Sequence, residues 1–223
     1  MCIRDSRPLV RIVVSEQVRE AVAPHVNLRL PMYTVIEGHD VDYFSSGRPA
    51  RIEAIPRVLY STWKSDLGDR VAELVDPSIA TFTAIREPID WPTLRNHYHH
   101  ADIFLGTPGP EEGFYLPGLE AMASGCAVVM SLVGGNAAYG VPGVNMIECA
   151  YDDEEAHASI VRYLATNDGR RNSLIDAGRD YASLYQIENE ERPQAMEIIA
   201  SPLGNYDGGL SPEESERSSH VDT

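Results

Sequence analysis

The sequence predicts an α/β fold with a doubly wound parallel sheet, and three observations support that prediction. Strand-like and helix-like segments alternate over residues 10–185. The strand-like runs are almost continuously apolar, as in "AVVMSL" at 127–132, which is typical of parallel strands covered by helices on both faces. No internal repeat is visible. The pattern therefore indicates a sheet between two helical layers.

Each predicted element rests on its local pattern. The β-branched run "VRIVVS" predicts a strand over 10–15, and apolar residues at helical spacing predict helices such as the one over 66–75. The turn-rich stretch "EGHDVDYFSSGRP" separates the first strand and helix from the rest. The further predicted strands are 58–61, 79–85, 102–107 and 127–132, and the predicted helices are 16–26, 66–75, 91–101, 117–125, 152–166, 169–185 and 186–200.

Charge and composition exclude several classes of function. The 223-residue chain has a formal net charge of −16, which repels phosphate backbones and argues against a nucleic-acid partner. No run approaches the roughly 20 apolar residues of a transmembrane segment, and the first residues lack the apolar core of a secretory signal. The cysteines Cys2, Cys126 and Cys149 are too few and too widely spaced for a disulfide framework or a zinc cluster. We expect a cytoplasmic protein.

Three loops are expected to meet at the carboxyl ends of the predicted strands, where open α/β sheets bind ligands. They are "STWKSDLG" after the strand at 58–61, "PGPEEGFY" after 102–107 and "VGGNAAYG" after 127–132. The residues that these loops would bring together are Lys64, Glu112, Gly113, Phe114, Gly134 and Gly135.

The second loop has the features of an anion site. Pro117 suits the first turn of a helix, so the amides before it would lie at a helix N-terminus, where unpaired N–H groups favour an anion. Gly113 would let this backbone approach a ligand closely, and Lys64 would add a charge suited to phosphate. Glu112 in the loop and Glu120 one turn into the helix could accept hydrogen bonds from a diol.

The residues by themselves leave other interpretations open. Glu112 and Glu120 could be exposed helix-edge carboxylates or the acid pair of a glycosidase. Lys64 could be a solvated surface lysine, and Gly134 and Gly135 fit a structural turn as well as a ligand contact.

Phe114 could anchor the core, contact a ligand, or do both, and Cys126 fits a small buried hydrophobic residue. His97 and His100 would share a helix face, but no carboxylate or cysteine cluster joins them in the sequence. We therefore expect no metal site.

The stretch "EEGFYLPGLEAMASGCAVV" at 111–129 resembles the Glu-x7-Glu signature of the retaining nucleotide-sugar glycosyltransferases with the GT-B fold, especially family 4. "VIEGHDVDYF" at 35–44 resembles their interdomain stretch Ile-Pro-Asn-Gly-Val-Asp-x-x-x-Phe. The resemblance covers roughly residues 9–190. It implies a Rossmann-like domain that forms the C-terminal, donor-binding half of a GT-B fold.

The resemblance also implies a domain organisation. Residues 9–48 correspond to the end of an N-terminal domain and the interdomain linker, 49–185 to the nucleotide-sugar-binding domain and 186–200 to a C-terminal helix. Residues 1–8 have no assigned role, and the polar, acidic stretch 201–223 is expected to be a disordered tail. Most of the N-terminal domain, which supplies the acceptor site in this family, would be absent. We therefore expect the chain alone to be an incomplete transferase.

By resemblance, Glu112 would contact the hydroxyl groups of the donor sugar and Lys64 would neutralise the departing diphosphate, so both are predicted catalytic residues. The predicted donor-binding residues are Glu120 at the ribose, with Gly113, Phe114, Leu116, Gly134 and Gly135. No metal or other cofactor is expected. The acceptor, a glycan, a lipid or another molecule, is unknown, and peripheral membrane association is left open for a longer form.

Two residues depart from the family pattern, and the first of them, together with the missing N-terminal domain, favours an alternative function. The arginine that the family often places five residues before the lysine is Leu59 here, so either Arg57 substitutes for it or the phosphate is less well neutralised. Glu37 replaces an asparagine of the interdomain stretch. The alternative is a non-catalytic nucleotide-sugar-binding or interaction module of the same fold. A GT-B epimerase or phosphorylase would need residues that the sequence lacks.

Overall fold

The computed structural model describes residues 10–26, 30–49 and 54–200. The leader predicted over 1–8 and the tail predicted over 201–223 lie outside these residues. The strands are β1 Arg11–Val13, β2 Met32–Thr34, β3 Arg57–Ser61, β4 Thr81–Ile85, β5 Ile103–Gly106, β6 Ala127–Met130 and β7 Met146–Glu148. The α-helices are α1 Glu16–Val22, α2 Val41–Ser45, α3 Leu67–Leu74, α4 Trp91–His99, α5 Leu116–Ala123, α6 Glu154–Thr166, α7 Asp168–Ser183 and α8 Glu191–Ala200.

Strands β3 to β7 form one sheet in the order β4-β3-β5-β6-β7, and every pairing in it is parallel. The chain runs from β3 outward to β4, crosses back over β3 to β5, and then continues to β6 and β7. The strand order therefore reverses between β3 and β5. This is the doubly wound parallel sheet that the sequence predicts, so that prediction is confirmed.

Alternate residues of the central strands face two separate cores, as the pleat of a strand requires. In β6, Val128 and Met130 belong to a core shared with α4, α5 and the end of α7. Ala127 and Val129 belong to the opposite core, which is shared with α3 and α6. Burial on both faces explains why the strands are continuously apolar in sequence.

Side chains cap the start of most helices. In α1, α2, α4, α6 and α7, the residue before the helix accepts a hydrogen bond from the backbone N–H three residues later. The capping residues are Ser15, Asp40, Asp90, Asp153 and Asn167. Each cap of this kind contributes about 1 kcal/mol. In contrast, the residue before α5, Tyr115, makes no side-chain capping hydrogen bond.

Three short elements differ from the prediction. Strand β2 pairs in parallel with β1, β7 extends the sheet by pairing with β6, and α2 occupies part of the stretch that reads as turns. Each has only three to five residues, which is too short for a periodic pattern. Pairing with distant strands defines β2 and β7, and burial of Val41 and Phe44 stabilises α2.

The predicted linker is hydrogen-bonded to the segment between α7 and α8. The N–H of His39 donates to Tyr185 O at 2.9 Å, and the N–H of Ile187 donates to His39 O at 3.1 Å. The N–H of Gly38 donates to the carboxylate of Glu191 at 2.9 Å. Among the described residues, no helix combines the length and apolar character that crossing a membrane requires.

Candidate functional site

The carboxyl ends of β3 and β5 lie side by side where the strand order reverses, and open α/β sheets bind ligands at this position. Thr107 Oγ1 donates to Ser61 O at 3.3 Å and joins the two loops that leave these strands. The loop after β6 leaves from the same edge. The three predicted loops therefore do converge. A small cleft at this edge is lined by Ser65, Leu67, Gly106, Thr107, Pro108, Ser131, Tyr151 and Asp152.

Lys64 and Glu112 form an ion pair across the two loops. The lysine side chain is 45% exposed and the glutamate side chain 17%. Lys64 Nζ also lies 5.6 Å from the centre of the Tyr115 ring. An ion pair this exposed contributes about 1 kcal/mol or less. A ligand that carries both phosphates and hydroxyl groups can therefore replace it at low cost.

The loop of Glu112 rests on a short 3₁₀ helix, Gly134–Ala138. The N–H of Gly135 donates to Glu112 O at 2.8 Å. A Cβ atom at position 135 would lie 2.0 Å from Gly113 O, and one at position 134 would lie 3.2 Å from Glu112 O. Close backbone packing thus accounts for glycine at position 135. Contact of Gly134 and Gly135 with a ligand stays a prediction.

Gly113 and Phe114 contact other parts of the protein. The Gly113 carbonyl accepts a hydrogen bond from Ser15 Oγ at 3.0 Å, so the start of α1 lies against this loop. The buried ring of Phe114 packs against Tyr139 and Tyr185, with centroids 5.5 and 6.1 Å away. Phe114 is therefore a core anchor that holds one end of the loop.

Glu120 is buried, in contrast to Glu112. It lies one turn inside α5, which begins at the half-buried Leu116, and it is only 8% exposed. Its Oε2 accepts a hydrogen bond from the Tyr98 hydroxyl at 3.0 Å. Burial raises the pKa of Glu120 to about 7, and the Tyr98 hydrogen bond acts in the opposite direction. The interpretation of Glu120 as an exposed carboxylate is therefore wrong.

The charges of both glutamates affect the pKa of Tyr115. Burial is the main cause of its raised pKa, and the charges of Glu112 and Glu120 both add to that shift. The Tyr115 hydroxyl accepts a hydrogen bond from the N–H of Thr107 at 3.1 Å, which joins the two ends of the loop. Sequence reasoning missed these hydrogen bonds of Tyr98 and Tyr115, because they depend on segments that meet only in the folded chain.

Arg57 does not replace the arginine that is missing at Leu59. Leu59 is buried at the centre of β3, and Arg57 begins that strand, about 13 Å before Ser61 at the usual rise per residue. Arg86 follows β4 at the same edge as Lys64, but Asp69 holds it in an ion pair at 2.7 and 3.1 Å. Sequence reasoning missed this cation, because the sheet register decides its position.

Two histidines at the end of α4 contact backbone carbonyls. His99 Nε2 lies 2.7 Å from Phe44 O, and His100 Nδ1 lies 2.8 Å from Asn96 O. In the part of the chain that the structure describes, no group of three or more His, Cys, Asp or Glu side chains is arranged to hold a metal ion.

Comparison with known families gives one match. Residues 62–167, which include Lys64, Glu112 and Glu120, match the family described as Glycosyl transferases group 1. No curated protein gives a significant sequence match.

Solved structures share this fold at low sequence identity. Sucrose-phosphate synthase from Thermosynechococcus elongatus has a TM-score of 0.71 at 20% identity, and the match covers 86% of this chain and 59% of that one. HepE from Anabaena, solved in complex with UDP, has a TM-score of 0.69 at 17% identity and coverages of 85% and 63%. The C-terminal domain of a glycosyl transferase group 1 family protein from Francisella tularensis has a TM-score of 0.53 at 21% identity, and the match covers 67% of this chain and 100% of that domain.

These likenesses identify the fold as the Rossmann-like C-terminal domain of GT-B glycosyltransferases, which confirms the predicted fold class. The chain spans about three-fifths of the length of the synthase and of HepE.

Proposed function

We propose that this chain binds a nucleotide-diphosphate sugar and is the donor half of a retaining glycosyltransferase. One observation carries the proposal: a half-exposed cation, Lys64, lies with the carboxylate of Glu112 at the edge where the strand order reverses. A diphosphate needs a cation, and the hydroxyl groups of a sugar and a ribose suit carboxylate acceptors. The family match over 62–167 supports the same ligand class. HepE has been solved with UDP and with UDP-glucose.

In this proposal the existing ion pair opens when the donor binds. Lys64 turns to the diphosphate, Glu112 accepts hydrogen bonds from the donor sugar, and Glu120 accepts them from the ribose. The amides at the start of α5, which the Tyr115 side chain does not cap, add the positive end of the helix dipole. The backbone of Gly113, Phe114, Leu116, Gly134 and Gly135 would complete the donor site.

The proposed reaction retains the configuration of the sugar. The bond between the anomeric carbon and the phosphate oxygen breaks, the acceptor oxygen bonds to the same face of that carbon, and the acceptor proton passes to the leaving phosphate. The chain contributes positioning and stabilisation of the negative diphosphate, chiefly through Lys64. We propose no metal, because Lys64 and the helix amides supply positive charge. The acceptor is open between a glycan, a lipid and another molecule.

Calorimetric titration tests the donor-binding part of the proposal. The titrants are UDP, GDP, ADP and their common sugar conjugates, and the proteins are wild type, Glu112→Gln, Glu120→Gln and the control Glu111→Gln. Glu111 is an exposed neighbour in the same loop. A hydrogen bond to a charged group contributes about 1.5–3 kcal/mol, so each carboxylate variant is expected to bind about 10- to 100-fold more weakly.

The expected result is saturable binding of one nucleotide that the Glu111→Gln control leaves unchanged and that a metal chelator does not reduce. Failure of the folded wild-type chain to bind any of these nucleotides would contradict the proposal.

A non-catalytic nucleotide-sugar-binding module is the second candidate. Leu59 in place of a cation, and the pairing of Arg86 with Asp69, favour it because both reduce the positive charge available to a leaving diphosphate. Release of nucleotide from the bound sugar conjugate separates the two. Nucleotide release that is faster than the spontaneous rate, and that the variant Lys64→Met no longer shows, favours the enzyme. Saturable binding without release favours the module.

A further inference from the structure

Tyr98 lies on a different helix from Glu120, and packing against other aromatic rings holds its own ring. The side chain is 1% exposed. Phe44 and Phe104 contact the ring edge-to-face, with centroids 5.9 and 5.5 Å away, and such pairs favour one ring orientation. The Tyr98 hydroxyl therefore occupies a fixed point, 3.0 Å from Glu120 Oε2.

Among the residues that the structure describes, a hydrogen bond reaches one of the two carboxylate oxygens of Glu120. Oε2 accepts from Tyr98, whereas Oε1 has no hydrogen-bond partner among the described residues. Oε1 is not among the buried side-chain atoms that lack a partner, so it keeps contact with solvent and can be reached by a ligand. It is suited to accept hydrogen bonds from a ligand.

The buried tyrosines around Glu120 stay neutral near neutral pH. Tyr98 on α4, Tyr115 before α5 and Tyr139 all have a pKa raised first by burial, so they remain neutral. From α7, Arg179 approaches α5 at Gly125, which follows the C-terminal end of that helix. Asp40 of the segment before α2 caps its own helix. Glu120, whose pKa is raised to about 7, titrates in a range where these tyrosines do not.

We propose that Tyr98 is a positioning residue of the donor site, whose hydroxyl holds Oε2 of Glu120, stabilises the ionised carboxylate and leaves Oε1 for the hydroxyl groups of the nucleotide ribose. This inference rests on the proposed function. Because the hydrogen bond lowers the pKa of Glu120 against the effect of burial, it increases the fraction of carboxylate at neutral pH. The variant Tyr98→Phe removes the hydroxyl and keeps the buried ring.

The test is nucleotide affinity measured from pH 5.5 to 9 for wild type and Tyr98→Phe. In the wild type, affinity is expected to fall as the pH drops below about 7, where Glu120 takes up a proton. In Tyr98→Phe the pKa of Glu120 rises, so the midpoint of this fall moves to higher pH. Affinity at pH 7 should decrease about threefold or more, since a hydrogen bond of this kind is worth about 1 kcal/mol or more and about half of Glu120 is already protonated in the wild type at pH 7. The deficit should shrink towards pH 9.

Tyr60→Phe is the matched control, because Tyr60 is also buried and its hydroxyl donates to a carboxylate, Asp69. A purely structural loss would leave the pH midpoint unmoved, as in this control. A second readout needs no ligand: the carboxyl carbon of isotopically labelled Glu120, followed by NMR, should titrate at higher pH in Tyr98→Phe.

The outcomes separate the two proposals. If the wild type binds nucleotide and Tyr98→Phe shows the same affinity and the same pH midpoint, only the proposed role of Tyr98 is overturned. An unchanged titration of the Glu120 carboxyl in Tyr98→Phe would overturn it as well. Absence of nucleotide binding by the wild type would overturn the proposed function and, with it, this inference.

Discussion

Replacement of Gly135 by alanine is expected to displace the loop that carries Glu112. The added Cβ atom would lie 2.0 Å from Gly113 O, 2.1 Å from Gly113 C and 2.4 Å from Phe114 N. These are backbone atoms and cannot rotate away as a side chain can. Since non-bonded contacts are comfortable at about 3.5 Å or more, the loop and the 3₁₀ helix must separate by more than about 1 Å. The hydrogen bond from Gly135 N–H to Glu112 O would then be lost.

The expected cost follows from these contacts. Overpacking of this kind costs about 1–3 kcal/mol, and the lost hydrogen bond adds about 1 kcal/mol. For a chain of this size, each kcal/mol lowers the melting temperature by about 2–4 °C. We therefore expect Gly135→Ala to melt on the order of 10 °C below the wild type. Nucleotide affinity should fall as well, because Glu112 moves with the loop.

Thermal and denaturant unfolding check this prediction against two matched variants. Gly109→Ala adds the same methyl group to the same loop where no atom lies within 4 Å, and Gly134→Ala adds it 3.2 Å from Glu112 O. The first should be neutral and the second intermediate. If Gly135→Ala had the same melting temperature as Gly109→Ala, the reasoning that backbone packing requires glycine at position 135 would be refuted.

Two further predictions concern the charged residues of the site. Lys64→Met is expected to change the free energy of unfolding by less than about 1 kcal/mol, because the lysine of its pair with Glu112 is about half exposed and screened by solvent. It should weaken nucleoside diphosphate binding about tenfold and leave nucleoside binding unchanged. Denaturation measures the first effect and calorimetry the second. Glu120 has a folded-state pKa of about 7 against 4.5 when unperturbed, so it stabilises the fold below pH 4.5, and this contribution is lost as the pH rises to 7. Between pH 4.5 and 7.5, the free energy of unfolding of Glu120→Gln should therefore rise by up to about 3 kcal/mol relative to that of the wild type. If the two proteins showed the same dependence of stability on pH, the raised pKa of a buried Glu120 would be contradicted.

The fold could be predicted because its signals are local. The apolar runs of β5 and β6 and the helical spacing of apolar residues in α3 are each visible within a few residues of sequence. Strands β2 and β7 were missed since each has three residues, and only a partner strand makes such a segment regular. Helix α2 was missed because its turn-forming residues obscure the burial of Phe44, which depends on α4 and α5 packing around it.

The position of the site followed from one rule, but the environments of its residues did not. Parallel strands end at one edge, so the loops of Lys64 and Glu112 had to meet there. The sequence does not reveal that the two residues would already be paired, nor that Arg57 starts its strand at the opposite edge. The ligand contacts of the predicted residues stay predictions.

The sequence by itself determined the α/β class, the order of the main elements and the edge at which Lys64 and Glu112 lie, because hydrophobic periodicity and strand direction are properties of short segments. Tertiary structure alone decided that Glu120 is buried against Tyr98 and that Gly135 presses on the backbone of Gly113. Burial and close approach depend on which segments the completed sheet brings together, and those segments lie far apart in the sequence.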